Sequence, residues 1–157
     1  MIVSEPADLS LEVFVVAARP ALERALVARF GVHDGMDAAA DALAYAVREW
    51  GRVGEMKNPS GYLYRVGVSS ATRWQRRLRR HGQLLSDVTA AVPAQLVDVD
   101  LQRALLHLRP EQRVAVVLVH GNGHTYAEAA AMLDVPVTTV TNHIHRGLAR
   151  LRQLLED

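Results

Sequence analysis

TYAEAAAMLDVPVTTVTNHIHRGLARLR, Thr125 to Arg152, decides how the whole chain is read. Its first half is alanine-rich, and Thr125-Tyr126-Ala127-Glu128 fits a capping box: the threonine hydroxyl takes the third helical N–H and the glutamate reaches back. That helix is short, ending at Leu133-Asp134, and Val135-Pro136 breaks the run. Ala127, Ala129, Ala130 and Ala131 let a neighbouring helix come close.

The helix that follows places Val137, Val140, Ile144, Leu148, Leu151 and Leu155 on one stripe, three and four apart. Thr139, Asn142, Arg146, Arg150 and Gln153 fall on the opposite side, flanked by Thr138 and His143. Hydrogen-bonding side chains and arginines at this spacing suit the major groove, where asparagine pairs with adenine and arginine with guanine. A solvated amphipathic helix would explain the same face. The capped short helix and tight turn ahead of it favour a DNA-reading helix-turn-helix.

Working outward, no run alternates with period two, so the chain is expected to be all-α. A first helix is predicted from about Ser10 to Phe30, kinked or split at Pro20, followed by a break over Gly31 to Gly35. A second runs from about Asp37 to Trp50. After the loop GRVGEMKNPSG, a third runs from about Ser60 to Arg80. These form a first domain over residues 1–81. Residues 82–97 lack periodicity, contain Pro93 and read as a linker. The second domain spans 98–157. It opens with a short helix ending at LRPEQ, then a helix from roughly Glu111 to His120 with Pro110 in its first turn, and a turn at Gly121-Asn122-Gly123.

Composition excludes several classes. With no cysteine there are no disulfides or thiolate-bound metals, which fits a reducing, cytoplasmic setting. The N-terminus has no basic region before an apolar core, so no signal peptide is read there. The run Val114 to Val119 is far too short to span a bilayer. No metal site or cofactor is expected: no histidine pairs with a carboxylate in the pattern of a zincin helix, and His143 and His145, two apart on a helix, diverge. The net charge of +1 hides an acid-free block containing Arg65, Arg73, Arg76, Arg77, Arg79 and Arg80. Arginine suits phosphate, although a GC-rich genome accounts for the same usage.

LRPEQRVAVVLVHGNGHTYAEAAAMLDVPVTTVTNHIHRGLARLR closely resembles the C-terminal promoter-binding domain of bacterial sigma factors, best the extracytoplasmic-function group of the sigma-70 family. The matching positions are the Leu-Pro start, Arg113, Tyr126-Ala127-Glu128, Val135-Pro136, Thr139-Val140, His145-Arg146 and Ala149 to Arg152. NPSGYLYRVGVSSATRWQRRLRR, Asn58 to Arg80, is similar to the family segment that melts and reads the downstream promoter element. The resemblance implies a non-enzymatic transcription initiation factor. Such a protein binds core RNA polymerase as a monomer and takes promoter DNA, with control by a separate anti-sigma factor or by expression level, and with no membrane association.

The resemblance also implies site roles. Thr138, Thr139, Asn142, His143 and Arg146 would meet the minus-thirty-five element as duplex, with Arg113 and Arg150 on phosphates. Lys57, Asn58, Tyr62, Tyr64, Arg65, Arg73, Trp74, Arg76 and Arg77 would take the melted minus-ten strand, by stacking among cations. Leu43 and Ala44 stand where the family carries a Gln-Glu pair facing polymerase, which leaves Asp41 and Glu49 as the acids available for that contact. Two other readings stay open: a stand-alone regulator that never meets polymerase, and a repurposed sigma-like protein acting through protein partners.

Overall fold

The computed structural model describes residues 6–80 and 98–157, and every regular element among them is helical. The expected linker at 82–97 lies outside the described residues. The N-terminal half holds α1 (Pro6–Phe30), α2 (Val32–Arg48), α3 (Trp50–Val53) and α4 (Pro59–Arg80). The C-terminal half holds α5 (Val99–Leu106), α6 (Pro110–Val116), a π-helical turn (Val117–Gly121), α7 (Tyr126–Leu133) and α8 (Val137–Glu156).

Several boundaries differ from the sequence reading: α1 begins at Pro6 and α3 falls largely within the expected loop. Helix α1 is not split at Pro20. Proline lacks the N–H that would bond to the Val16 carbonyl, but both residues are exposed, so solvent can take that oxygen. The expected break over Gly31–Gly35 shrinks to Gly31 alone, which turns the chain with φ 97°. Gly35 instead lies inside α2, where a Cβ would fall 2.5 Å from the Val27 Cα. Its bareness is a packing requirement between α1 and α2.

Leu22, Ala25 and Leu26 on α1 and Ala38, Ala39, Ala42 and Ala46 on α2 are buried, so alanines bring the two helix axes close. Helix α4 closes this group with Leu63, Tyr64 and Ala71. In the C-terminal half Val114, Ala115, Val140, Ile144 and Leu151 are buried, each large side chain contributing about 1.5–3 kcal/mol. The stripe predicted on α8 is corrected at both ends: Val137 and Leu155 are exposed, and Gly147 takes the inward position against Val116.

The buried residues of the two halves form one continuous cluster. Helix α1 packs on α6 and the π-helical turn, and α4 packs on α7.

Candidate nucleic-acid interface

The α7–α8 corner is built by its caps. Thr125 Oγ1 accepts the Glu128 N–H at 3.0 Å and donates to Glu128 Oε1 at 3.1 Å. His124 Nδ1 lies 3.2 Å from Glu128 Oε2. The His124 hydrogen bond, then those from Thr125, hold the Glu128 carboxyl below its ordinary value, against a small opposing effect of desolvation. Helix α7 ends at Asp134, which takes the left-handed conformation at φ 56°. Pro136 then starts α8.

Of the residues expected to read duplex, Thr138, Asn142, Arg146 and Arg150 are exposed along α8, and Thr139 and His143 are half-buried beside them. Val140, Ile144 and Leu151 turn inward, so the outer face is offered as a continuous strip. Arg113 does not join it. Only 5% of this residue is exposed, and its Nε and Nη2 donate to the carbonyls of Ala28 at 2.7 Å and Arg29 at 2.8 Å. Those carbonyls end α1 and have no helical partner, so a buried guanidinium is their natural cap. Burial, then the neighbouring Arg29, lowers the Arg113 pKa, yet an arginine stays charged. The expected phosphate contact is therefore corrected to a joint between the two halves.

On the other half, Lys57, Arg65, Arg73, Trp74, Arg76 and Arg77 are exposed, with Trp74 at 49%. Tyr62 is half-buried between the Arg52 and Arg65 guanidinium groups, which stand 5.8 and 5.9 Å from its ring centre. Tyr64 is corrected: it is buried, because its position on α4 faces α1 and α6, and burial raises its pKa against the opposing influence of Arg29. It cannot serve as a stacking surface in this arrangement. Arg52 and Tyr45 were not expected. The Arg52 guanidinium donates to the Tyr45 hydroxyl, which lies 3.3 Å from the Tyr62 hydroxyl. The one sequence signal for Arg52 was its place in the glycine-flanked loop.

Asn58 caps α4, accepting the Gly61 N–H at 3.1 Å, and donates across to the Ala131 carbonyl at 2.7 Å. Arg65 Nη2 lies 3.1 Å from Asp134 Oδ2. Asp41 is exposed on α2 and accepts the Ser70 hydroxyl at 2.6 Å. Glu49, exposed at the end of α2, lies about 12 Å further along the helix axis. Among the described residues no group of histidine and carboxylate side chains could hold a metal ion, and no helix is long and apolar enough to cross a membrane.

Residues 98–151 match the family model described as Sigma-70, region 4. The RNA polymerase sigma-E factor of Streptomyces antibioticus is 32% identical over 128 residues, covering 78% of this chain and 71% of that one. The ECF RNA polymerase sigma factor SigM of Mycobacterium tuberculosis is 35% identical over 129 residues, covering 78% of this chain and 64% of that one. Among solved structures, the sigma factor RpoE of Bartonella quintana, determined in complex with the anti-sigma factor NepR, superposes with a TM-score of 0.66 at 25% identity. The match covers 92% of this chain and 96% of that one.

Proposed function

This chain belongs to the extracytoplasmic-function group of sigma-70 family RNA polymerase sigma factors, which directs the polymerase to promoters, and from that premise we propose how its surfaces divide the work. The outer face of α8 reads the upstream element as duplex, with Thr138, Thr139, Asn142, His143 and Arg146 at base edges and Arg150 on phosphate. The observation carrying this reading is the exposed strip of Asn142, Arg146 and Arg150 directly behind the capped α7 corner.

The melted downstream strand lies along α4. Trp74 and Tyr62 offer ring faces, while Arg52, Arg65, Arg73, Arg76 and Arg77, with Lys57 and Asn58 at the helix start, meet its phosphates. Asp41 and Glu49 supply the acidic contact to core polymerase that Leu43, now buried, does not. The protein works in the cytoplasm by binding alone, as a monomer and without a catalytic step of its own. A separate anti-sigma protein is the regulator this reading assigns to it, since its structural relative was solved in complex with one. The stand-alone and repurposed readings are not favoured, since the relatives bear the names of polymerase sigma factors.

The test is transcription from a library of genomic fragments by core polymerase with and without the chain. Discrete transcripts sharing paired upstream elements are expected. Duplex binding without any transcript would return the stand-alone regulator to first place.

A further inference from the structure

Helices α2 and α4 enclose a cleft of about 440 Å³, within the size range of small-molecule sites. Asp34, Asp37 and Asp41 follow one stripe of α2 at spacings of three and four. Ser70, Trp74 and Arg77 follow the facing stripe of α4, with Arg73 beside them. Ala38 and Ala71, both buried, also line the cleft, and their small side chains leave it open.

Opposite charges stand on the two walls without pairing. Arg73 and Arg77 make no ion pair among the described residues. The carboxylates have other partners. Asp41 Oδ2 accepts the Ser70 hydroxyl at 2.6 Å, and His33 Nδ1 lies 3.4 Å from Asp34 and 3.5 Å from Asp37. The Asp37 side chain is 72% exposed against 31% for Asp34, so it is the acceptor more open to a ligand. One wall therefore accepts hydrogen bonds and the other donates them, with the half-exposed indole of Trp74 alongside. Such a cleft suits a flat molecule with donors at one end and an anion at the other.

The geometry points to a site for a single guanine nucleotide: the base stacks on Trp74, its N1–H and 2-amino group donate to Asp37, and its phosphate rests on Arg73 and Arg77. Base–aromatic stacking tolerates every base and supplies affinity. Selection comes from the carboxylate, which only accepts. Guanine sets two donors side by side on its pairing edge, and a carboxylate takes both at once. Adenine and cytosine set an acceptor beside their amino group, and uracil offers one donor between two carbonyls. Each of these leaves a carboxylate oxygen facing another acceptor. The arginines supply the forked phosphate contact that guanidinium groups favour. The nucleotide arrives free or as one unstacked residue of a single strand. The site shares Arg73, Trp74 and Arg77 with the strand track proposed along α4, but the α2 wall that selects the base lies outside that track.

Calorimetric titration of the full chain with 5′-GMP, 5′-IMP and 5′-AMP tests this. GMP should bind with saturation. IMP, which lacks only the 2-amino group, should bind about tenfold more weakly, the scale of one charge-assisted hydrogen bond. AMP should bind more weakly still. Asp37→Asn replaces one acceptor by a donor at an exposed position, where the fold should be unaffected. It should lower GMP affinity by about tenfold and raise that for 5′-XMP, whose 2-oxo group accepts from the new amide. A merely structural loss would lower both. The source is read with single-stranded thymidine 12-mers carrying one central guanine or one hypoxanthine. Preference for the guanine strand that Asp37→Asn removes, without GMP binding, assigns the site to the strand. GMP binding without strand binding assigns it to the free nucleotide, and the strand reading of α4 then fails alone. Equal affinity for GMP, IMP and AMP, or a GMP affinity unmoved by Asp37→Asn, overturns the inference. So does the absence of both GMP binding and guanine preference in the strand.

Discussion

The two edges along which the halves meet are built on opposite principles. Between α1 and α6 the joint is dry: Arg113 is buried, its guanidinium satisfies two helix-end carbonyls, and Tyr64, Arg29 and Glu111 surround it. Between α4 and α7 the joint is wet, resting on Asn58, Arg65 and Asp134, two of them substantially exposed. A buried charge that loses its partner costs several kcal/mol, whereas an exposed pair is worth about 1 kcal/mol or less. The same sequence thus makes one edge a buried anchor and the other an exposed polar contact.

The largest expected effect lies at the dry edge. Arg113→Met leaves the Ala28 and Arg29 carbonyls without their cap and should cost about 3 kcal/mol, lowering the melting temperature by about 6–12 °C in calorimetry. A change under about 1 kcal/mol would abolish the distinction between the edges. Tyr64→Phe removes a buried hydroxyl beside Arg29 and should cost about 1–1.5 kcal/mol in urea unfolding, with no change in duplex affinity. Reduced duplex binding would show that the inner joint communicates with α8.

Thr125→Ala lies off both edges and should cost about 1 kcal/mol through loss of the α7 cap. Part of the corner's stability depends on Glu128, whose folded pKa is held below the ordinary glutamate value by the His124 and Thr125 hydrogen bonds. That contribution is complete above the unfolded value and fades as pH falls through the folded one. The parent and Thr125→Ala curves should therefore converge in acid, and parallel curves would separate the cap from its glutamate. The smallest effect belongs to the wet edge. Arg65→Ala should change stability by about 0.5 kcal/mol, and the difference should vanish in molar salt, where screening acts over about 3 Å. A salt-independent loss would mean that this edge is not solvated as its exposure implies.

What could be read in advance was local. Period, caps and breakers made the all-α class legible, along with the Thr125 cap and the outer face of α8, because each depends on residues within a turn of one another. Most of the errors were matters of which surface meets which. Gly35 looked like a breaker because glycine has the same appearance in a turn and beneath a crossing helix. Tyr62 and Tyr64 sit two apart on α4, and only tertiary packing puts one among arginines and the other in the core. Arg113 sits inside the family motif, and no neighbour in sequence shows that its guanidinium is consumed by α1. Nor does any residue type between Val117 and Gly121 announce the widened turn that replaces the last turn of the expected helix.

The bond from Arg113 to Ala28 joins positions 85 residues apart. During synthesis at about 5–20 residues per second, the end of α1 waits about 4–17 seconds after it is made before the side chain that caps it exists. Over that interval the nascent N-terminal helices have only water at those carbonyls, and the dry edge can close only when α6 has left the ribosome. If that joint also forms after the folding transition state, Arg113→Met will speed unfolding more than it slows refolding, which a chevron of parent and variant reads directly.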